Sequence, residues 1–242
     1  RLQLDRSLPK VLGLKDLGAI HCSNILEIDF AQILNNYPKI RELRLWGKPG
    51  NILNFHKLSE LKELINFSTV DLFGFTGEDI PKPEDLPRLS MFWMSSLPEE
   101  AAKVAKKYYK KQQDKGLNLW ITKPRKAEWL AQNLDNPFRS WDGQENISTA
   151  NAKKAASLYR KTRASLIKLL ENPNEDTMEH IEALIREYTQ GFNKMDKRNC
   201  FIETIEREDI YDALVEILDL LPEDLGMDKE KFIEIFDELK DF

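Results

Sequence analysis

Residues 43–47, 70–74, 91–95 and 119–122 alternate apolar and polar side chains, the period of a half-buried strand, and residues 26–30 follow the pattern less closely. Successive starts lie 17, 27, 21 and 28 residues apart, the spacing of stacked strand–turn–helix units. If Leu43 and Leu45 point inward, the two-residue period turns Arg44 and Trp46 outward. The same phase turns out Asp71 and Phe73, then Phe92 and Met94, then Trp120 and Thr122. The predicted open face therefore carries Arg44, Trp46, Asp71, Phe73, Phe92, Met94 and Trp120, with Glu27 and Asp29 at its rim. Large aromatics edged by charge have the composition of a protein-binding patch. The competing reading makes the stripe core, because parallel strands covered on both faces are apolar on both.

The remainder reads as helix. Residues 96–115 place Ala101, Val104, Ala105 and Tyr108 on one face and Lys103, Lys106, Lys107, Lys110 and Lys111 on another, with Ser96 and Glu99 at capping-box spacing and Gly116 as the stop. A tract rich in Trp, Pro and Asx follows residue 122, with a short helix expected over 126–134 that buries Trp129, Leu130 and Leu134. Four amphipathic periods then cover 148–170, 175–193, 204–221 and 228–239, with short connections that suggest an antiparallel bundle. The expected fold class is an α/β repeat with parallel strands over residues 1–122, followed by a Trp-rich connector and an all-α domain over 123–242.

Charge changes this picture by segment. The chain of 242 residues has a net charge of -5. Residues 101–170 hold 16 basic and 5 acidic side chains, whereas residues 171–242 hold 8 basic and 22 acidic. The basic middle either meets an acidic partner or is neutralised by the acidic third. That acidic third makes nucleic acid an unlikely partner. Two cysteines, Cys22 and Cys200, are too few for a disulfide scaffold and favour a reducing compartment. With no apolar run near 18 residues and no signal-peptide pattern, a cytoplasmic location with no membrane partner is expected.

The segments Ile40-x-x-Leu43-x-Leu45 and Leu86-x-x-Leu89-x-Met91 resemble the L-x-x-L-x-L kernel of leucine-rich repeats. The resemblance covers roughly residues 8–122, with irregular spacing and without the Asn that normally follows the kernel. It implies a short, degenerate solenoid whose strands form a parallel sheet. The Trp-rich tract, together with residues 188–198 and 201–210, is similar to tracts in bacterial leucine-rich-repeat-type proteins, some loosely labelled gliding-motility protein. That similarity covers about residues 117–220 and implies a bacterial, cytoplasmic protein; it transfers no catalytic residue.

Motifs for chemistry are sparse. His21, His56 and His180 are far apart, and there is no H-E-x-x-H, C-x-x-C, Walker A, Rossmann glycine or G-x-S-x-G pattern. Cys200 with His180 lacks a nucleophile–base spacing. Glu203, Glu206, Glu208, Asp209 and Asp212 are the best candidate site: on a helix they share a face able to hold a divalent cation, or they serve the helix N-terminus. The expected function is a non-enzymatic interaction protein without cofactor, binding another protein as an adaptor or immunity-like inhibitor. A metal-dependent enzyme using residues 203–212, or a nucleic-acid binder using the basic helices, stands as the alternative.

Overall fold

The computed structural model describes residues 2–3, 16–197, 200–222 and 227–242. The chain divides into two compact units, Arg1–Leu134 and Asp135–Phe242, a boundary later than the expected one at residue 122 because the strand read at 119–122 runs on to Arg125 and a short helix follows it in the first unit.

Six strands build one sheet in the order of the chain: β1 (Leu2–Gln3), β2 (Ala19–Asp29), β3 (Glu42–Leu53), β4 (Asn66–Phe73), β5 (Met91–Pro98) and β6 (Asn118–Arg125). Every neighbouring pair is parallel. Parallel neighbours need crossovers. From β2 onward these are α1 (Phe30–Asn36), 3-10 turns at Phe55–Glu60, Gly77–Asp79 and Pro83–Asp85, and α2 (Glu99–Gln113); α3 (Ala127–Asn133) follows the last strand. Asp29 starts α1 by accepting a hydrogen bond from the Ala31 amide at 2.8 Å. Phe30, Ile33, Phe55, Leu58, Ala101, Ala105 and Tyr109 from the connections join the inward strand residues in one core, so the connections cover the same face.

The backbone repeats itself. The Arg41 and Glu42 amides both donate to the Gly18 carbonyl, Ile65 and Asn66 to Arg41, Ser90 and Met91 to Ile65, and Asn118 to Ser90. Just before β3, β4 and β5 the Ile40 amide donates to Tyr37, Leu64 to Leu61 and Leu89 to Leu86. Across the sheet Leu43 pairs with Phe67, Phe67 with Phe92 and Phe92 with Leu119; one step on, Leu45, Thr69, Met94 and Ile121 share a register.

A second row breaks the alternation. Asn24, Asp71, Ser96 and Lys123 each adopt the left-handed region, with φ between 48° and 57°. Asp71, Ser96 and Lys123 follow Val70, Ser95 and Thr122, which share one register row, and Asn24 follows Ser23, one residue past the Cys22–Leu45 pair. This extra residue is a β-bulge, which flips the side-chain parity beyond it. Hence Cys22 and Ile25 are both buried, as are Thr69 and Leu72, and Met94 and Leu97. In β3 the same position holds a longer insertion, where Trp46 pairs with Val70 but Gly50 pairs with Leu72. A Cβ at Gly50 would sit 2.3 Å from the Ile25 carbonyl oxygen, so only glycine lets the two backbones approach.

The second unit consists of a 3-10 turn (Pro137–Trp141) and α4 (Thr149–Glu171), α5 (Thr177–Asp196), α6 (Thr204–Leu218) and α7 (Lys229–Leu239). Their apolar faces, with Phe138, Trp141, Tyr159, Tyr188, Phe192, Leu214 and Phe236 among them, close on one core. Buried polar groups are tied across it: Trp141 Nε1 donates to Asp209 at 2.8 Å, Tyr188 Oη to the Ile210 carbonyl at 3.0 Å, and the Ile202 amide to Asp196 at 2.8 Å. Fold class thus stands as an α/β unit with a parallel sheet followed by a helical unit. Among the described residues no helix is long and apolar enough to cross a membrane.

Candidate interaction face

Turning Leu43, Phe67, Phe92 and Leu119 inward fixes what their neighbours do. One register row on the opposite face runs His21, Arg44, Ser68, Trp93 and Trp120; the next runs Trp46, Val70, Ser95 and Thr122. His21 and Trp46 meet edge to face with ring centroids 4.3 Å apart. Trp93 and Trp120 meet at 5.8 Å, and Trp93 Nε1 donates to Asn118 Oδ1 at 3.0 Å, which orients its indole. Trp120 is 50% exposed. Arg44 is exposed and is held by Glu42 at 2.9 Å. Thr122 Oγ1 donates to Ser95 Oγ at 3.0 Å, and the Arg125 guanidinium lies 3.8 Å from the centre of the Trp129 ring. Two pairs of rings therefore flank a central strip of Ser68 and Val70.

Of the residues expected here, Arg44, Trp46 and Trp120 lie on this face, with Trp46 half-buried. Phe92 and Met94 do not: both are fully buried in the core. β5 takes its phase from Phe92, the partner of Phe67, rather than from Met91, so its outward residues are Trp93 and Ser95. Asp71 is the bulge residue of β4, and Phe73 lies beyond it, outside the sheet unit's core; they are 9% and 6% exposed, so neither offers an accessible surface. At the rim, Glu27 is exposed, whereas Asp29 caps α1 and accepts from Asn54 Nδ2 at 2.9 Å. The sequence reading missed His21 and Trp93. The signal was an apolar residue three positions before the first core residue of β3, β4 and β5, as in Ile40–Leu43, Leu64–Phe67 and Leu89–Phe92, which assigns Trp93 outward. In α3, no residue is buried and Leu134, just after it, is 53% exposed, contrary to expectation, because the Trp129 ring packs on the Arg125 guanidinium at the end of β6 and not in a core.

The acidic row of α6 is occupied by structural duties. Glu203 and Glu206 form a capping box, and Glu206 also accepts from Asn146 Nδ2 at 3.1 Å. Asp209 accepts from the buried Trp141 indole; burial raises its carboxyl above the ordinary range, and the indole N–H opposes that rise. Among the described residues no group of three His, Cys, Asp or Glu side chains stands ready to hold a metal ion. The Cys22 thiol is fully buried, which pushes it up to about 11 and leaves it protonated at neutral pH. Ser96 does not cap α2; it is the bulge residue of β5, and Pro98 stands at the helix start. The lysines of α2 are exposed, with Lys103 bound to Glu99 at 3.1 Å.

No protein-family model, no curated protein and no solved structure matches the chain.

Proposed function

We propose that this chain is a non-enzymatic protein-binding module, whose sheet unit is a short leucine-rich-repeat-like solenoid presenting Arg44, Trp46, Trp93 and Trp120 to another protein. The repeat reading draws support from the carbonyls of Gly18, Arg41, Ile65 and Ser90, equivalent acceptors 23, 24 and 25 residues apart. The binding reading rests on one observation: three tryptophans stand on the sheet face opposite the core, one of them half exposed. Indoles are costly to leave in water and are enriched where interfaces concentrate their energy. The module acts by recruiting or occluding its partner, as an adaptor or an immunity-like inhibitor, over roughly 800 Å² per side. The setting that fits this reading is a bacterial cytoplasm.

Affinity capture from native lysate, with wild type beside the double variant Trp93→Ala/Trp120→Ala, tests it. The expected result is a captured protein that the variant loses while its melting temperature stays within a few degrees of wild type. Equal capture by both would overturn the assignment of this face.

A further inference from the structure

A cavity of about 320 Å³ lies on the covered side of the sheet, between the Pro83–Asp85 turn and the C-terminal end of α2. Its walls are Pro83, Leu86, Pro87, Leu89, Tyr109 and Leu117, and its polar lining groups are Glu84 and Gln112. Apart from the Gln112 side-chain NH2, hydrogen-bond donors are scarce there. Pro83 and Pro87 have no N–H. The amides of Leu86, Leu89 and Leu117 are spent on Pro83, Leu86 and Gln112 carbonyls. The Tyr109 hydroxyl donates to the Pro81 carbonyl at 3.1 Å. Acceptors are in surplus. Gln112 Oε1 is buried and accepts no hydrogen bond among the described residues. Glu84 is exposed at the rim and makes no ion pair among them.

Two fields add to this. The cavity sits at the carbonyl end of the 15-residue helix α2, where the helix dipole favours positive charge and where Lys110 and Lys111 already stand exposed in the last turn. Asp85 and Glu84 make the surroundings of Tyr109 negative; with burial as the larger cause, they push its hydroxyl well above the ordinary phenol range. A buried acceptor without a donor costs free energy that a donor from outside recovers.

We propose that this cavity binds an alkylammonium or alkylguanidinium group, with the aliphatic stem between Leu86, Leu89 and Leu117 and the cationic head on Gln112 Oε1 and Glu84. The volume is within the range of small-ligand sites. The chemistry is shared by free amines and by Lys or Arg side chains of a partner, and the test separates the two sources. n-Butylguanidinium, n-butylammonium, n-butanol and a short Lys/Arg-containing peptide are titrated into the full chain while leucine methyl resonances are followed. Both cations are expected to shift the methyls of Leu86, Leu89 and Leu117, and n-butanol is not. Binding of the peptide at least tenfold tighter than the free cations assigns a partner's side chain; free cations that match or exceed it assign a small amine. Gln112→Met should weaken the cations about tenfold and Glu84→Gln about threefold, with folding of each variant checked by its unchanged remaining spectrum. Equal response to n-butanol, or no methyl shift with either cation or the peptide, overturns the proposal.

Discussion

The two units tie their polar groups together over very different spans of chain. In the sheet unit, Lys39 reaches Asp16, Asn66 reaches Glu42, Arg88 reaches Glu63 and Trp93 reaches Asn118, each joining one turn of the chain to the next, 23 to 25 residues away. In the helical unit, Trp141 joins Asp209 across 68 residues, Asn146 joins Glu206 across 60, and Asn193 joins the Leu239 carbonyl across 46. The first arrangement is nearest-neighbour, so its stability accumulates layer by layer. The second ties its first segment to α6 and α5 to the end of α7, so its parts stand or fall together. Damage should therefore spread differently in the two.

The largest effects test that contrast directly. Phe192 touches Phe138, Trp141, Tyr188 and Phe242, with ring centroids 5.0–6.3 Å away. Phe92 touches Phe67 and Tyr109 at 5.6 and 4.6 Å. Truncating either to Ala should cost about 3–5 kcal/mol. Amide hydrogen exchange should then accelerate throughout α4–α7 for Phe192→Ala, and chiefly in β4, β5, β6 and α2 for Phe92→Ala. Exchange that rises evenly through the whole sheet unit in the second variant would dissolve the distinction.

A smaller effect is expected at the β2–β3 seam. Gly50→Ala drives a methyl against the Ile25 carbonyl, and a loss of more than about 1 kcal/mol follows. Exchange should quicken in β2 and β3, while β6 keeps its protection.

The smallest effect sharpens the helical side. Burial holds the Asp209 carboxyl above its ordinary 3.8, so the folded chain keeps this proton to higher pH than the unfolded chain does. Its contribution to stability is then complete in acid and falls as pH climbs from 3.8 through the folded value. Asp209→Asn keeps an acceptor for Trp141 but cannot ionise. Urea unfolding should show the variant gaining more over wild type at pH 7 than at pH 4, whereas an equal gain at both would mean that the carboxyl titrates normally.

How legible each unit was follows from whether its period is interrupted. Ala152, Ala155, Tyr159 and Leu166 on α4, and Phe232, Ile235 and Phe236 on α7, are buried as their helical spacing predicts, because nothing in those helices shifts the phase. The strands were legible as strands, and their parallel sheet was implied by the kernel at Ile40–Leu45. Their faces were only partly legible. Strict alternation across Val70, Asp71 and Leu72 joins two phases that the left-handed Asp71 separates, and alternation counted from Met91 instead of Phe92 turns Phe92 and Met94 the wrong way. No propensity marks Ser96 or Lys123 as left-handed; only the register of neighbouring strands imposes it. The service of the α6 acids to the helix N-terminus was legible, but their ties to Trp141 and Asn146 were not, since those partners stand 60 or more residues earlier.

The row of left-handed residues also settles where this sheet tolerates a change of length. A residue added inside a strand inverts every side chain after it. At this row the inversion has already been absorbed: β3 carries four steps where β4 carries two, yet Leu43 and Leu45 before the insertion and Ile52 after it remain buried. The row is a hinge in the reading frame of the sheet, a place where neighbouring layers differ in residue number while presenting the same interior.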